Sequence, residues 1–410
     1  MMLLQMAFRN LRRNLRRTII TSAAVAVGMI VLVMSNTLRA GQYDDMISSS
    51  VSQLAGHVVV QHPEYQQEQE TELVVEDVDG LVAALKQEIP NTVITTRTRL
   101  GGILASSSSP TVIGLTAVDP LSEGKVSDMA DKIVMGTWVQ NDSKSIVIGQ
   151  NMADLLQADL GDRLVFTTSV DGEMNSHLYR LTGVFRTGAE EVDAFVGYVS
   201  IASVDTVLGR PNTANQVAVH LDNASQTNAI LERVERVVES QGRKDIAVQP
   251  WPEILPDVIA MIKVDQVSNE MISISLMFIV AMGILNTMLM NVLERSKEFG
   301  VLMAIGLKKG ALVRMILLEA ALVGIIGGLS GAVLGMMASY PIVVNGLDLT
   351  KMMGEGMVIN GAVASTILYG RYDFLWIGGY ILLSVLCAVL SALYPAWKIQ
   401  QLTPVDAMRS

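Results

Sequence analysis

Four stretches of the chain are almost free of charge: Ile19–Leu38, Met271–Leu293, Ala311–Tyr340 and Phe374–Tyr394. An α-helix needs about 20 apolar residues to cross a bilayer, so four transmembrane helices are predicted at residues 19–39, 271–293, 311–340 and 374–394. Met271–Leu293 contains no Asp, Glu, Lys or Arg, and Ala311–Tyr340 contains only Arg314 and Glu319. Between them runs a charged stretch, Glu294-Arg295-Ser296-Lys297-Glu298-Phe299-Gly300, continuing to Gly310. Residues 294–310 are therefore expected as a short loop on one membrane face, placed to receive force from a partner.

Other periodicities fill in the rest. Leu4, Phe8, Leu11 and Leu15 recur every three or four residues, with arginines on the other faces. This predicts an amphipathic helix along the membrane surface over residues 1–18. A further contact with a partner is the second use of that helix. Residues 40–270 are polar and long enough for a folded domain with its own core. Short runs rich in β-branched residues predict strands at 57–60, 93–96, 111–113, 145–148, 163–166, 179–182 and 217–220. Helical spacing predicts Val78–Glu88, Gln226–Gln241 and Asn151–Leu160, the last closed by Gly161. The insert is thus α+β, with a division into two subdomains expected near residues 105–205 and a flexible loop at Ser106–Ser109. Asp44–Gln53 and Pro256–Asn269 are expected to extend the flanking helices as stalks, so that the outer domain moves with the membrane helices. Met46, Ile47, Ile259, Ile262 and Val267 make these stalks candidate contacts for acyl chains. The apolar segment Met357–Tyr369 is too short to cross and is assigned to the short outer loop, residues 341–373.

Composition supports a membrane chain. Half of the 410 residues are hydrophobic, and the mean hydropathy is positive. The net charge of −10 conceals a division: the ends and the mid-chain loop are basic, the insert acidic. Arg9, Arg12, Arg13, Arg16 and Arg17 precede the first helix, and Arg295, Lys297, Lys308, Lys309 and Arg314 crowd the loop between helices 2 and 3. Lys398 and Arg409 follow helix 4. Basic residues collect on the cytoplasmic side, so four crossings put both termini and the tail, residues 395–410, inside and the insert outside. The first apolar run is longer than a cleaved signal and lacks a small-x-small site after it, which favours an uncleaved anchor. No basic patch outside these flanks suits nucleic acid.

Chemistry is conspicuously missing. No P-loop, H-E-x-x-H or G-x-S-x-G motif occurs. Cys387 is the single cysteine and lies in the last apolar run, so neither an internal disulfide nor a thiolate metal site can form. His57, His62, His177 and His220 have no ligand spacing and read as solvated. No catalytic residue and no metal site is assigned. Within the membrane, Gly324 and Gly328, and Gly327, Gly331 and Gly335, repeat every four residues. Small residues at that spacing let helix backbones approach, either within the chain or between copies. Glu319 is an acid inside a span, expected to snorkel or to pair with Arg314.

Three motifs carry a resemblance. Ala7-x-Arg9-Asn10-Leu11-x-Arg13-Asn14-x-x-Arg17-Thr18 stands before the first helix. Glu294-Arg295-x-x-Glu298-Phe299-Gly300-Val301-Leu302-x-Ala304-Ile305-Gly306 links the second and third. Tyr394-Pro395-Ala396-x-Lys398-Ile399-x-x-Leu402-x-Pro404-Val405-Asp406-Ala407-Met408-Arg409 closes the chain. Together they resemble the permease subunits of the MacB/LolC/LolE/FtsX-like (mechanotransmission) ABC transporters. Ile146–Gly149, Leu160–Asp162 and Leu181–Gly188 are similar to the lipoprotein-releasing branch in particular. The fold implied is an α-helical membrane protein with four transmembrane helices and a large α+β periplasmic domain inserted between helices 1 and 2, in a bacterial inner membrane.

The resemblance implies a permease without an ATPase motif of its own. It would work with two copies of a separate ABC ATPase that binds ATP and Mg, and beside a second permease copy or paralogue. Glu294, Arg295, Glu298, Phe299, Gly300, Ala304 and Gly306 are its implied ATPase-coupling residues. The implied activity is release of a lipoprotein or lipid-linked substrate, with a periplasmic chaperone or adaptor as a further partner. The alternatives are efflux of periplasmic peptides or drugs, and signalling to a cell-wall hydrolase; the large outer domain places signalling last.

Overall fold

The computed structural model describes residues 2–13, 15–353, 356–359 and 361–400. The last part of the C-terminal motif, residues 401–409, lies outside them, as do Asn14, Glu355 and Asn360. The main elements in chain order are α1 (Met2–Arg13), α2 (Leu15–Ser50), β1 (Val58–Gln61), α3 (Val78–Glu88), β2 (Val93–Ala105), β3 (Pro110–Val118), β4 (Ile133–Gly136), β5 (Ser145–Gly149), β6 (Arg163–Val170), β7 (Glu173–Phe185), β8 (Val196–Ser200), β9 (Gln216–His220), α4 (Thr227–Ser240), β10 (Ala247–Pro250), α5 (Pro256–Glu294), α6 (Ser296–Ala304), α7 (Lys309–Asn345) and α8 (Phe374–Gln400). They form two compact units. One comprises Met1–Tyr43, Ile262–Leu347 and Leu368–Ser410; the other comprises Asp44–Met261 and Asp348–Ile367.

The first unit is helical. Among the described residues, the helical segments Leu15–Ala55, Pro256–Glu294, Lys309–Asn345 and Phe374–Ile399 are long and apolar enough to cross a membrane. Their inner faces meet in two clusters. One gathers Val25, Ile284, Met288, Val292, Leu312, Ile316 and Ala388; the other gathers Met29, Val33, Met277, Ala332 and Tyr380. Phe278, Ile279, Met337 and Leu382 point outward and are largely exposed, as an apolar solvent requires. The two glycine rows of α7 face different neighbours. A Cβ on Gly324 would stand 2.9 Å from the Val385 Cα on α8, and one on Gly328 would stand 2.6 Å from the Ser384 hydroxyl. On the other row, Cβ atoms at Gly327, Gly331 and Gly335 would meet Val25, Met29 and Val33 of α2 at 2.6 to 2.9 Å. Bare backbone lets α7 lie between two helices at once, and the packing is within this chain.

The second unit is built on one sheet of ten strands in the order β10-β1-β9-β2-β3-β8-β5-β7-β4, with β6 pairing to β2 and β7. β3–β8 and β5–β7 are parallel. The expected division near residues 105–205 is not a break in the sheet, because β2 pairs with β9 at one end and with β3 and β6 at the other. Division occurs in the packing instead. One core holds Leu100, Leu104, Ile113, Ile148, Phe166 and Tyr179. The other, under α3 and α4, holds Val58, Leu81, Leu85, Val217, Val234 and Val237.

Several expectations need correction. The helix placed at Asn151–Leu160 is Gln150–Leu156, and Gln157, not Gly161, takes the left-handed conformation at its end. Ser106–Ser109 is a bound hairpin turn: the Ser106 hydroxyl accepts from the amides of Ser108 and Ser109, and donates to the Leu156 carbonyl at 2.6 Å. The segment Met357–Tyr369, by contrast, keeps its assignment outside the long helices and carries a strand pair, Met357–Ile359 with Ala362–Ala364. The Gln53 amide holds it, bonding both the amide and the carbonyl of Val363. The histidines are not simply solvated. His220 is buried against the Thr95 hydroxyl at 3.0 Å, His57 accepts from the Leu221 amide, and His177 reaches the Ser143 carbonyl at 2.8 Å.

Candidate functional site

A cluster of charges forms at the end of the helical unit where α1, α2, α5, α6 and α7 meet. Its centre is Arg295, at the corner between α5 and α6. The Arg295 side chain is 12% exposed. It donates through Nε to Glu298 at 2.9 Å and through Nη1 to both Glu319 oxygens at 3.3 and 3.4 Å. Its guanidinium also stands 5.1 Å from the centre of the Phe299 ring, within the range of a cation–π contact. The spacing explains the fit: Glu298 and Phe299 lie three and four residues beyond Arg295, one helical turn on. Phe299 is 1% exposed and packs into the membrane-unit core.

The N-terminal segment completes the cluster. Asn10 donates to Glu319 Oε1 at 2.7 Å. Arg13 pairs with Glu298, and Arg17 pairs with Glu294 and bonds Asn291 Oδ1 at 3.1 Å. The Arg13 guanidinium holds the Glu298 carboxyl below the usual carboxylate range. On α1, Ala7 is buried and Leu11 packs inward, while Phe8 is exposed, as is Leu15 at the start of α2. The face toward α7 includes Asn10 and Leu11. Glu319 does not pair with Arg314; Arg295 and Asn10 hold it.

The predicted coupling residues divide by environment. Glu294, Arg295 and Glu298 form the ion network, and Phe299 and Gly300 are buried beneath it. Ala304 and Gly306 lie at an exposed tip with Val301 and Ile305, the last 79% exposed. Gly306 turns the chain there with φ +102°, a value that strains any L side chain. Val301 and Ile305 were not singled out from the sequence. An exposed apolar pair at a charged helix end was the available signal.

In the second unit the end of α2 has its own attachment. A wider π-type turn, Val51–Ala55, finishes the helix. Arg97 of β2 donates to the Ser52 carbonyl, and Arg99 donates to the Leu54 carbonyl at 2.7 Å. Cations at a helix C-terminus complement its dipole and occupy its free carbonyls. Arg97 is itself neutralised by a buried two-point ion pair with Glu123 at 2.8 and 3.0 Å. Of the candidate substrate contacts, Met46 and Ile262 are buried, which withdraws them as surface groups. Ile47 and Ile259 are half-buried, and Val267 is exposed together with Val264.

Residues 18–237 match the MacB-like periplasmic core domain family. Residues 270–404 match the FtsX-like permease C-terminal family. The chain belongs to the MacB/FtsX-like permease family. As an ABC transporter permease of this type it is a multi-pass membrane protein, and permeases of this family work with an ATPase subunit.

Among curated relatives, the permease is 22% identical over 314 residues to the lipoprotein-releasing system transmembrane protein LolC of Xylella fastidiosa, covering 72% of each chain. It is 22% identical over 434 aligned positions to the macrolide export ATP-binding/permease protein MacB of Wolinella succinogenes, covering 99% of this chain but 60% of that one. Among solved structures it is similar to the periplasmic region of MacB from Actinobacillus actinomycetemcomitans. That likeness has 14% identity and a TM-score of 0.36, over 49% of this chain and 91% of the other.

Proposed function

We propose that this permease is a lever, worked by ATP hydrolysis in an ABC ATPase at the α6 tip and acting through its α/β domain on the far side of a bacterial inner membrane. The carrying observation is the Arg295 cluster. It ties the loop between α5 and α7 to α1, α2 and α7, so a push on α6 is shared by several helices. The exposed Val301 and Ile305, with Lys308 and Lys309 beyond them, supply an apolar anchor within a basic rim for the ATPase. The charge pattern of the chain supports cytoplasmic termini and a periplasmic α/β domain. Two ATPase copies and a second permease, identical or paralogous, complete the assembly.

The substrate reading is release of a lipoprotein or lipid-linked molecule from the membrane, supported by the LolC relative, which matches over the same share of both chains. Val264 and Val267 are the exposed stalk positions left to meet acyl chains. Export of periplasmic peptides or drugs is the second reading, favoured by the MacB alignment across 99% of this chain.

The test separates docking from coupling. With its partner ABC ATPase co-expressed, Ile305→Asp should abolish co-purification. Arg295→Ala should keep co-purification but sever ATP hydrolysis from substrate release in proteoliposomes. Undiminished coupling in Arg295→Ala would refute the lever.

A further inference from the structure

The α/β domain contains a cavity of about 750 Å³, apart from the Arg295 cluster. That volume is within the range of about 300–1,000 Å³ usual for small-molecule sites. Its floor is one face of the sheet. Arg99 and Gly101 are two apart on β2, so both address that face. Across the ladder they pair with Thr116 and Gly114 of β3, and these pair with Tyr198 and Val196 of β8. Of the two glycines in register, Gly101 leaves the floor hollow beside the guanidinium, while Phe195 covers Gly114. A Cβ on Gly101 would meet nothing within 4 Å, while one on Gly114 would meet the Phe195 ring at 2.8 Å. Leu54, Ile254 and Leu255 form an apolar wall.

Arg99 carries a charge that the protein does not balance. Arg97, two residues earlier, is paired with Glu123. Among the described residues no carboxylate stands within ion-pair distance of Arg99; its Nη2 has the neutral Leu54 carbonyl at 2.7 Å. Asp257 lines the cavity but is exposed and makes no ion pair with Arg99. Burial pushes the Arg99 guanidinium below its usual range, and the neighbouring Arg97 adds to this. A half-buried cation that lines an open cavity and has no carboxylate partner is stabilised by an anion brought to it.

The geometry points to a binding site for an amphiphile that carries one singly charged oxyanion, set against Arg99, and an apolar body along the Leu54–Ile254 wall. A carboxylate on an acyl chain and a phosphodiester lipid headgroup share this chemistry. The site stands on the domain's own geometry and requires no ATPase, so it can fail while the lever reading survives, and the reverse.

Full-length permease in phosphatidylcholine nanodiscs, without nucleotide, is titrated with octanoate, dihexanoyl phosphatidylglycerol, octanol and octylamine by equilibrium binding. Saturable binding is expected for an anionic probe and not for the neutral or cationic one; which anion binds assigns the source. Arg99→Gln should weaken binding by about tenfold or more. Gly101→Leu should do the same by filling the hollow while Arg99 stays. Equal binding of octanol or octylamine, no saturable anion binding, or undiminished binding in a folded Arg99→Gln chain would overturn the proposal. The head-group comparison uses the unaltered chain and decides the matter even where a variant fails to fold.

Discussion

The Arg97–Glu123 pair offers a prediction with a worked magnitude. Both side chains are almost wholly buried, 1% and 3% exposed, and joined at two points. Glu123→Leu leaves a guanidinium buried without its counter-charge. Breaking such a pair from one side costs about 3–5 kcal/mol. Arg97→Met leaves the Glu123 carboxylate equally stranded and also frees the Ser52 carbonyl, so it costs at least as much. The double variant leaves no charge buried at either of these two positions, and it removes Arg97 Nη1, which is buried without a partner. Its cost should fall to the lost Ser52 hydrogen bond, about 1.5–3 kcal/mol for a bond from a charged donor. Amide hydrogen exchange of β2 and β3 in the detergent-solubilised full chain reads these opening energies, and the four chains form a double-mutant cycle. A change below about 1 kcal/mol in Glu123→Leu, or a double variant no better than either single, would refute the account. The double variant also isolates the attachment at the end of α2: with stability largely recovered and the Ser52 link gone, ATP-coupled transport should still be reduced.

Two further outcomes follow from packing and protonation. Gly331→Leu must displace Met29, whose Cβ would be 2.6 Å from the new Cβ. It should lower the thermal unfolding midpoint by an amount matching about 1–3 kcal/mol of overpacking, whereas Gly283→Leu, open to its surroundings, should not. Burial pushes His220 down from its ordinary 6.5 to about 2. The unfolded chain therefore takes up a proton below pH 6.5 that the folded chain refuses, so stability is full above pH 6.5 and falls as pH drops, by about 1.4 kcal/mol per unit. His220→Asn should flatten this acid limb in pH-resolved melting curves, leaving a smaller slope from His57, which burial also lowers.

What could be read from the sequence follows how local each signal is. The apolar runs are local, and helical segments stand over all four. The helices outrun the apolar runs because polar residues such as Asp44 and Ser48–Ser50 propagate a helix already nucleated. Strand cores such as Val58–Val60 and Val217–Val219 were visible as β-branched runs. β8 and β10 were not, because Gly197 and Pro250 interrupt them. β2 runs past the predicted 93–96 through Gly101 and Gly102, which have little strand propensity; in the structure the second approaches Phe166 and the first opens onto a cavity.

The charge cluster around Arg295 shows the limit most clearly. Glu319 was visible as a charge in an apolar run, and its burial demanded a basic partner. Arg314 was the near candidate, but five residues on an α-helix turn the side chain about 140° around the axis, away from Glu319. The partner is Arg295, 24 residues earlier and on the other side of a turn, with Asn10 from the far end of the chain. The same reasoning explains the arginines of α1 and of the start of α2, which read as a topology signal. Arg13 and Arg17 also have carboxylate partners, Glu298 and Glu294. A residue that reads as an orientation signal can also join an ion network only where a second segment returns to the same end of the helical unit. The loop between α5 and α7 is that return, so the cluster depends on the four-helix layout and could not have been inferred from either segment alone.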